Sequence, residues 1–276
     1  MTRSHSARFT QSRHRPTHSH RWPRLLGAAA IATLALAAAP QLTPRHLIDA
    51  GVSAPVVSAR SAGQAAPLAT PTPRPFRMPF TTPPGPDTWL MAQAYGNTTG
   101  AYRQRNTTYA AGQGVHFGTD ITARCGTQLV AMADGVVFAS DAMSFGSAPH
   151  NLMIDHPELG YATFYGHLLE RPNLSPGQPI SAGEPIALTG DPAETCNGRP
   201  HLHLEIRDLR HYRKYNPALL VEADWQALAL IGSFSRAFQR DLDSPRKWQH
   251  IDDQPETVIG GPLLNNFARP WPPDTP

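Results

Sequence analysis

Residues 201–207 read His-Leu-His-Leu-Glu-Ile-Arg, and this strict alternation constrains the fold more than any other stretch. A period of two is that of a β-strand with one face buried. Leu202, Leu204 and Ile206 then point into a core, while His201, His203 and Glu205 share the opposite face. Taken alone, a His-x-His face is read first as a polar cross-strand surface. What the rest of the chain places beside it decides whether it is more.

The segments before this strand are short and punctuated by turn residues. Gln128 to Ala133 reads as a strand ending at Asp134-Gly135, a hairpin signal, with Val136 to Ala139 continuing beyond it. Asn151 to Asp155 is a second candidate, returned by the Pro157–Gly160 turn through Tyr161 to Tyr165. Ser175-Pro-Gly177 and Ser181-Ala-Gly183 bracket a further short strand and lead into Ile186-Ala-Leu188. No βαβ alternation is present. The expected fold is mainly β: an antiparallel, sandwich-like domain over residues 89–222. Leu228, Ile231, Phe234, Phe238 and Leu242 follow at helical spacing, so residues 224–242 are expected to form an amphipathic helix packed on that domain. The remainder of 223–276 is Pro-rich and reads as an ill-defined tail.

The N-terminal third has another character. Residues 1–39 carry six Arg and no acid, then the apolar, Ala-rich run Leu25 to Ala39. That run suits a signal-peptide core better than a membrane span, although an uncleaved anchor has the same pattern. Either reading puts the rest of the chain outside the cytoplasm. Without the leader, 18 basic and 21 acidic side chains remain (24 − 6 = 18 Lys and Arg), about −3. No basic face argues for nucleic acid. Residues 40–88 are rich in Pro, Ala, Ser and Thr and read as an extended, disordered linker. Two cysteines, Cys125 and Cys196, suggest one disulfide in an exported chain; a pair of thiolate ligands is the competing reading.

Two further clusters give the strand at 201–207 its interest. His116-Phe-Gly-Thr-Asp120 puts an imidazole and a carboxylate on one face of an extended segment, with Gly118 keeping that face open. His167 stands alone in Tyr-Gly-His-Leu. His116, Asp120 and His203 would make a His₂Asp set, which with a water in the fourth place is what a catalytic zinc needs. His167 and His201 are then suited to taking the proton of that water and to donating to a developing oxyanion. Glu205 could buttress a ligand or serve the fold. Tyr165 could line a groove or pack. His156 reads as a turn residue, His150 and His211 as surface residues. Lys and Arg are sparse near these motifs, which argues against a phosphate-cradling role.

The ordered set His116-x-x-x-Asp120, Tyr165-Gly166-His167 and His201-Leu-His203-Leu-Glu205 resembles the lysostaphin/LytM-type zinc endopeptidases, which cut peptide cross-links in bacterial peptidoglycan. The likeness runs over roughly residues 95–220. It takes in Gly126-Thr127, Ala133-Asp134-Gly135-Val136-Val137 and Asn216-Pro217 in the expected order. It implies zinc on His116, Asp120 and His203, a catalytic pair in His167 and His201, peptidoglycan peptides as substrate and an extracytoplasmic location. Arg199-Pro200 departs from the Gly-Pro common in that family, and residues 141–150 and 189–199 are loop variations that would shape the substrate groove.

Two other classes of function are open to such a chain. Some relatives of that family have lost zinc ligands and act as non-catalytic regulators of wall amidases; here all five site residues are present. A lipoyl-type carrier module would need a Lys at the hairpin tip, where Ala133-Asp134 stands. Nothing in the sequence demands more than a monomer.

Overall fold

The computed structural model describes residues 73–146, 150–193, 196–231 and 238–269. The leader and most of the linker lie outside these. Among the described residues no helix is long and apolar enough to cross a membrane.

The strands in chain order are β1 (Phe76–Arg77), β2 (Trp89–Gln93), β3 (Thr119–Ala123), β4 (Gln128–Val130), β5 (Gly135–Ser140), β6 (Leu152–His156), β7 (Tyr161–Gly166), β8 (Pro179–Ile180), β9 (Pro185–Leu188), β10 (His201–Asp208), β11 (Arg213–Tyr215), β12 (Val221–Glu222) and β13 (Thr257–Val258). Among the described residues three short helices accompany them: α1 (Thr99–Arg103), α2 (Pro217–Leu220) and α3 (Trp225–Ile231). Nine strands form one sheet in the order β13-β11-β10-β7-β6-β5-β8, with β3 also on β10 and β2 on β3. The pairings within it are antiparallel, as short turn-rich connections allow.

β10 is the organising strand. Leu202, Leu204 and Ile206 are all fully buried, as the alternation predicts, in a cluster with Ile121, Leu152, Ile154 and Tyr165. The opposite face is buried as well. Glu205 and Arg207 are 0% exposed and His203 is 7% exposed, so this is no solvated surface. β7 pairs with β10 along 203–208, occupying one edge. The other edge is divided between β3, along 201–204, and β11, along 206–207.

Four expectations are corrected. Asp134-Gly135 does not close a hairpin: β4 pairs with β9, while β5 pairs with β6 and β8. The intervening Ala131, Met132 and Ala133 are buried, and this apolar run carries the chain through the core from one sheet to the other. The packed part begins before Trp89. Phe76 is fully buried against His156 and Tyr161, and β1 lies parallel to β12, so an aromatic-bearing end of the Pro-rich segment is core.

Of the expected helix over 224–242, the described residues are helical at Trp225–Ile231, and residues 232–237 lie outside the described residues. Phe238 bridges Thr98 in extended pairing, and Phe234 lies outside the described residues. The tail, expected to be ill-defined, packs through Ile251, Gln254, Thr257 and Asn265, all nearly or fully buried.

Candidate metal centre

The register of β10 assembles the site. His203 stands opposite Asp120 of β3 on one side and Gly166 of β7 on the other. Directly opposed residues present their side chains to the same face, so Asp120 is delivered to the His203 ring. His167 follows Gly166 and adopts φ 58°, a left-handed conformation unfavourable for a residue with a Cβ. His116 arrives on a separate segment that bridges Gly96. Its amide donates to Gly96 O at 2.9 Å, and the Gly96 amide donates to His116 O at 2.7 Å. Gly118 lets β10 approach: a Cβ there would stand 2.6 Å from His203 Cε1 and 2.7 Å from the carbonyl oxygen of Leu204.

Three donor atoms converge. His203 Nδ1 lies 2.8 Å from Asp120 Oδ1, His116 Nε2 lies 3.2 Å from that oxygen, and the two ring nitrogens are 3.3 Å apart. The second nitrogen of each ring is engaged elsewhere. His116 Nδ1 donates to Ala94 O at 2.9 Å, and His203 Nε2 faces Glu205 Oε1 at 3.2 Å. These contacts set the tautomers, leaving His116 Nε2 and His203 Nδ1 to turn lone pairs toward a carboxylate. Such a set repels itself unless a cation lies among its members.

The electrostatics agree. Burial alone would raise the Asp120 carboxyl, but His116 and His203 outweigh it and hold the group well below the usual carboxylate range. Burial alone would depress His203, yet its hydrogen bonds to Asp120 and Glu205 lift it to about 9. Positive charge is therefore favoured here, as a proton or as a metal ion. Zinc bonds of about 2.0–2.1 Å in a tetrahedron place neighbouring ligand atoms roughly 3.3 Å apart, close to the spacing observed. His116, Asp120 and His203 thus fit a metal ion and are brought together as the sequence predicts.

His201 and His167 flank this set, their ring centroids 4.8 Å apart. His201 Nδ1 donates to Arg199 O at 2.7 Å, so its Nε2, 4.0 Å from Asp120 Oδ1, carries the lone pair. His167 Nδ1 is buried with no hydrogen-bond partner among the described residues. Burial, followed by the neighbouring His203 and His201, pushes His167 down to about 3.

Behind His203 lies Glu205, the carboxylate that the sequence offers as a buttress, with two cations that the sequence reading missed. Glu205 receives Arg207 Nε at 2.8 Å and Lys214 Nζ at 3.3 Å, and the Arg207 Nη2 also donates to Phe145 O. Burial would raise Glu205, but Arg207, Lys214 and His203 hold it well below its ordinary range. The reading that Lys and Arg are sparse near the site is therefore corrected. Arg207 was legible as the next alternate residue of β10; Lys214, opposite it on β11, was not.

Tyr165 is packed, not groove-lining. Its hydroxyl accepts from the Met132 amide and contacts Thr163, whose oxygen lies 2.8 Å from His156 Nε2. His156 is a fully buried strand residue whose Nδ1 donates to Asp134 O, not a turn residue. His211, expected at the surface, is buried against Phe138 and Phe145 and paired with Asp155 at 2.7 Å. His150 is half-buried beside Asp141. Cys125 and Cys196 form a disulfide, so neither is a ligand.

Residues 114–217 match the family model described as Peptidase family M23. An uncharacterized metalloprotease of Haemophilus influenzae is 37% identical over 91 residues, which are 33% of this chain and 18% of that protein. The chain thus spans less than a fifth of that relative. Among solved structures, a zinc-containing peptidase from Vibrio cholerae is 25% identical, covering 54% of this chain and 41% of its own, with a TM-score of 0.38. A mutant of the catalytic domain of the prophage-encoded M23 protein EnpA from Enterococcus faecalis is 22% identical, covering 50% and 95%, with a TM-score of 0.38.

Proposed function

We propose, from the premise that residues 114–217 are a domain of peptidase family M23, that the protein is an exported zinc endopeptidase that hydrolyses peptide bonds in bacterial peptidoglycan. The observation that carries the reading is the convergence of His116 Nε2, Asp120 Oδ1 and His203 Nδ1, with the outer nitrogen of each histidine already engaged. The Arg-rich leader and the Cys125–Cys196 disulfide support export, since disulfides persist in oxidising compartments.

His116, Asp120 and His203 would hold the zinc. Zinc bound there supplies a water activated near neutral pH and polarises the scissile carbonyl. His201 would accept a proton from the attacking water at Nε2, because its Nδ1–H is committed to Arg199 O. Its later return to the leaving amine uses the same atom. His167 stays neutral at working pH, and its ring donates a hydrogen bond to the oxygen on which charge develops. The buried layer of Glu205, Arg207 and Lys214 keeps His203 in one orientation while the proton moves.

The test is zinc content together with release of peptides from purified peptidoglycan, for the wild-type chain and for His203→Ala, His201→Ala and His167→Ala. One zinc per chain and cleavage are expected in the wild type. His203→Ala should lose both. His201→Ala and His167→Ala should keep zinc and lose about 10²–10⁴-fold in turnover. Zinc binding without cleavage by the wild type would overturn the enzymatic reading in favour of a binding regulator. A wild type that folds without zinc would overturn the ligand assignment.

A further inference from the structure

The C-terminal segment outside the family match, residues 238–269, builds the loop that carries His116. Asn265 is fully buried, and its amide Nδ2 donates to Gly114 O at 2.7 Å and to Asn97 Oδ1 at 2.8 Å. Both of its protons are thereby spent on the two segments that frame His116. Its Oδ1 is buried with no hydrogen-bond partner among the described residues, so these two donated bonds are what orient the amide. Gln254 Oε1 accepts from the Asn97 amide at 2.7 Å, beside the Gly96 that bridges His116. Its Nε2 is anchored on the carbonyls of Trp248 and His250. Gly96 and Gly114, both at positive φ, leave no room for a Cβ: one there would strike Gln254 and Asn265 respectively.

A second set of bonds closes the same loop. Gln113 Nε2 donates to Pro262 O, its Oε1 accepts from the Val258 amide, and its carbonyl accepts from the Leu264 amide. Two groups hold the His116 residue in place, the Ala94 carbonyl and the Gly96 bridge. Both lie on a segment whose Asn97 is clasped by residues 157 and 168 positions away in sequence. Without that clasp the loop would sample many states, and a ligand on it would have to be ordered when the metal binds. With it, the ordering is already done when the chain folds.

We infer that Asn265 and Gln254 are positioning residues for His116, so that the C-terminal segment sets the affinity of the metal centre without touching the metal. The inference rests on His116 being a ligand, as proposed above. Asn265→Asp keeps the shape and removes both donors. Gln254→Ala removes the acceptor of the Asn97 amide. Ile251→Ala is the comparison: Ile251 is a buried tail residue whose side chain packs in the main core and whose backbone accepts from Asn216.

The experiment measures zinc affinity by competition with a chromophoric chelator, and Tm with and without zinc, on the full chain. Asn265→Asp and Gln254→Ala are expected to weaken zinc about tenfold or more and to shrink the rise in Tm that zinc produces. Ile251→Ala is expected to lower Tm equally in both states with zinc affinity unchanged. If both tail variants behave like Ile251→Ala, the segment only stabilises the fold and the inference fails. If Asn265→Asp does not fold, Gln254→Ala at wild-type zinc affinity is enough to overturn it. His116→Ala separates the two ideas. If it keeps zinc, the ligand reading fails; if it loses zinc while both tail variants keep wild-type affinity, only this inference fails.

Discussion

Glu205 Oε1 stands 3.2 Å from His203 Nε2, on the side of the ring away from Asp120. The imidazole is therefore gripped at both nitrogens by carboxylates, one facing the metal site and one facing a buried Arg207 and Lys214. Glu205→Gln should separate two effects. Two buried cations lose their counter-charge, which costs about 3–5 kcal/mol in chemical denaturation. Zinc should bind about 10–100-fold more weakly by chelator competition, because the His203 ring exchanges an anionic acceptor for a neutral amide. Adding Lys214→Met should recover part of the stability and none of the zinc affinity. A Glu205→Gln protein with wild-type affinity would refute the orienting role.

Gly118 lies under the same ring. Gly118→Ala would place a methyl 2.6 Å from His203 Cε1 and 2.7 Å from Leu204 O, which is backbone and cannot swing away. The expected result is about 1–3 kcal/mol of lost stability and a loss of bound zinc. Retention of full zinc content would show that β10 can retreat without losing its ligand.

The disulfide acts on stability rather than on the metal. Cys125 and Cys196 are 71 residues apart, and closing a loop of that length is worth about 4 kcal/mol in the chain-entropy account. Replacing both by Ser should lower the unfolding free energy by about that amount and leave zinc stoichiometry at one. Loss of zinc in that variant would show that the 189–199 loop holds the site together.

His156 predicts a pH dependence remote from the metal. Burial, opposed by the hydrogen bond to Asp134 O, depresses its pKa below 6.5. A histidine depressed on folding contributes stability that is whole above its unfolded value and is lost as the pH falls below about 6.5. Wild type should thus lose more stability between pH 7.5 and about 5 than His156→Gln does. Parallel pH profiles of the two proteins, followed by urea denaturation, would contradict this.

How much was legible can be read residue by residue. The buried Leu202, Leu204 and Ile206 follow from alternation, and the types and order of the five site residues follow from short motifs. His156 and His211 were misread because burial of a histidine depends on partners, Thr163 and Asp155, that no local pattern supplies. The helix expected through Leu242 failed because its last periodic residues are drawn into other contacts, as in the Thr98–Phe238 bridge.

By itself, the sequence determined which face of β10 carries imidazoles and which carries aliphatics, because side-chain direction along a strand has a period of two and needs no partner to define it. It also determined the chemistry on offer, two imidazoles and a carboxylate with two further histidines. Only the tertiary structure decided that Asp120 and Gly166 both stand opposite His203, that Arg207 and Lys214 are buried behind Glu205, and that Asn265 clasps the His116 loop. Each of these is a pairing between segments distant in the chain. Its register is set by the packing of whole faces against one another, and that information is not present in any single stretch of residues.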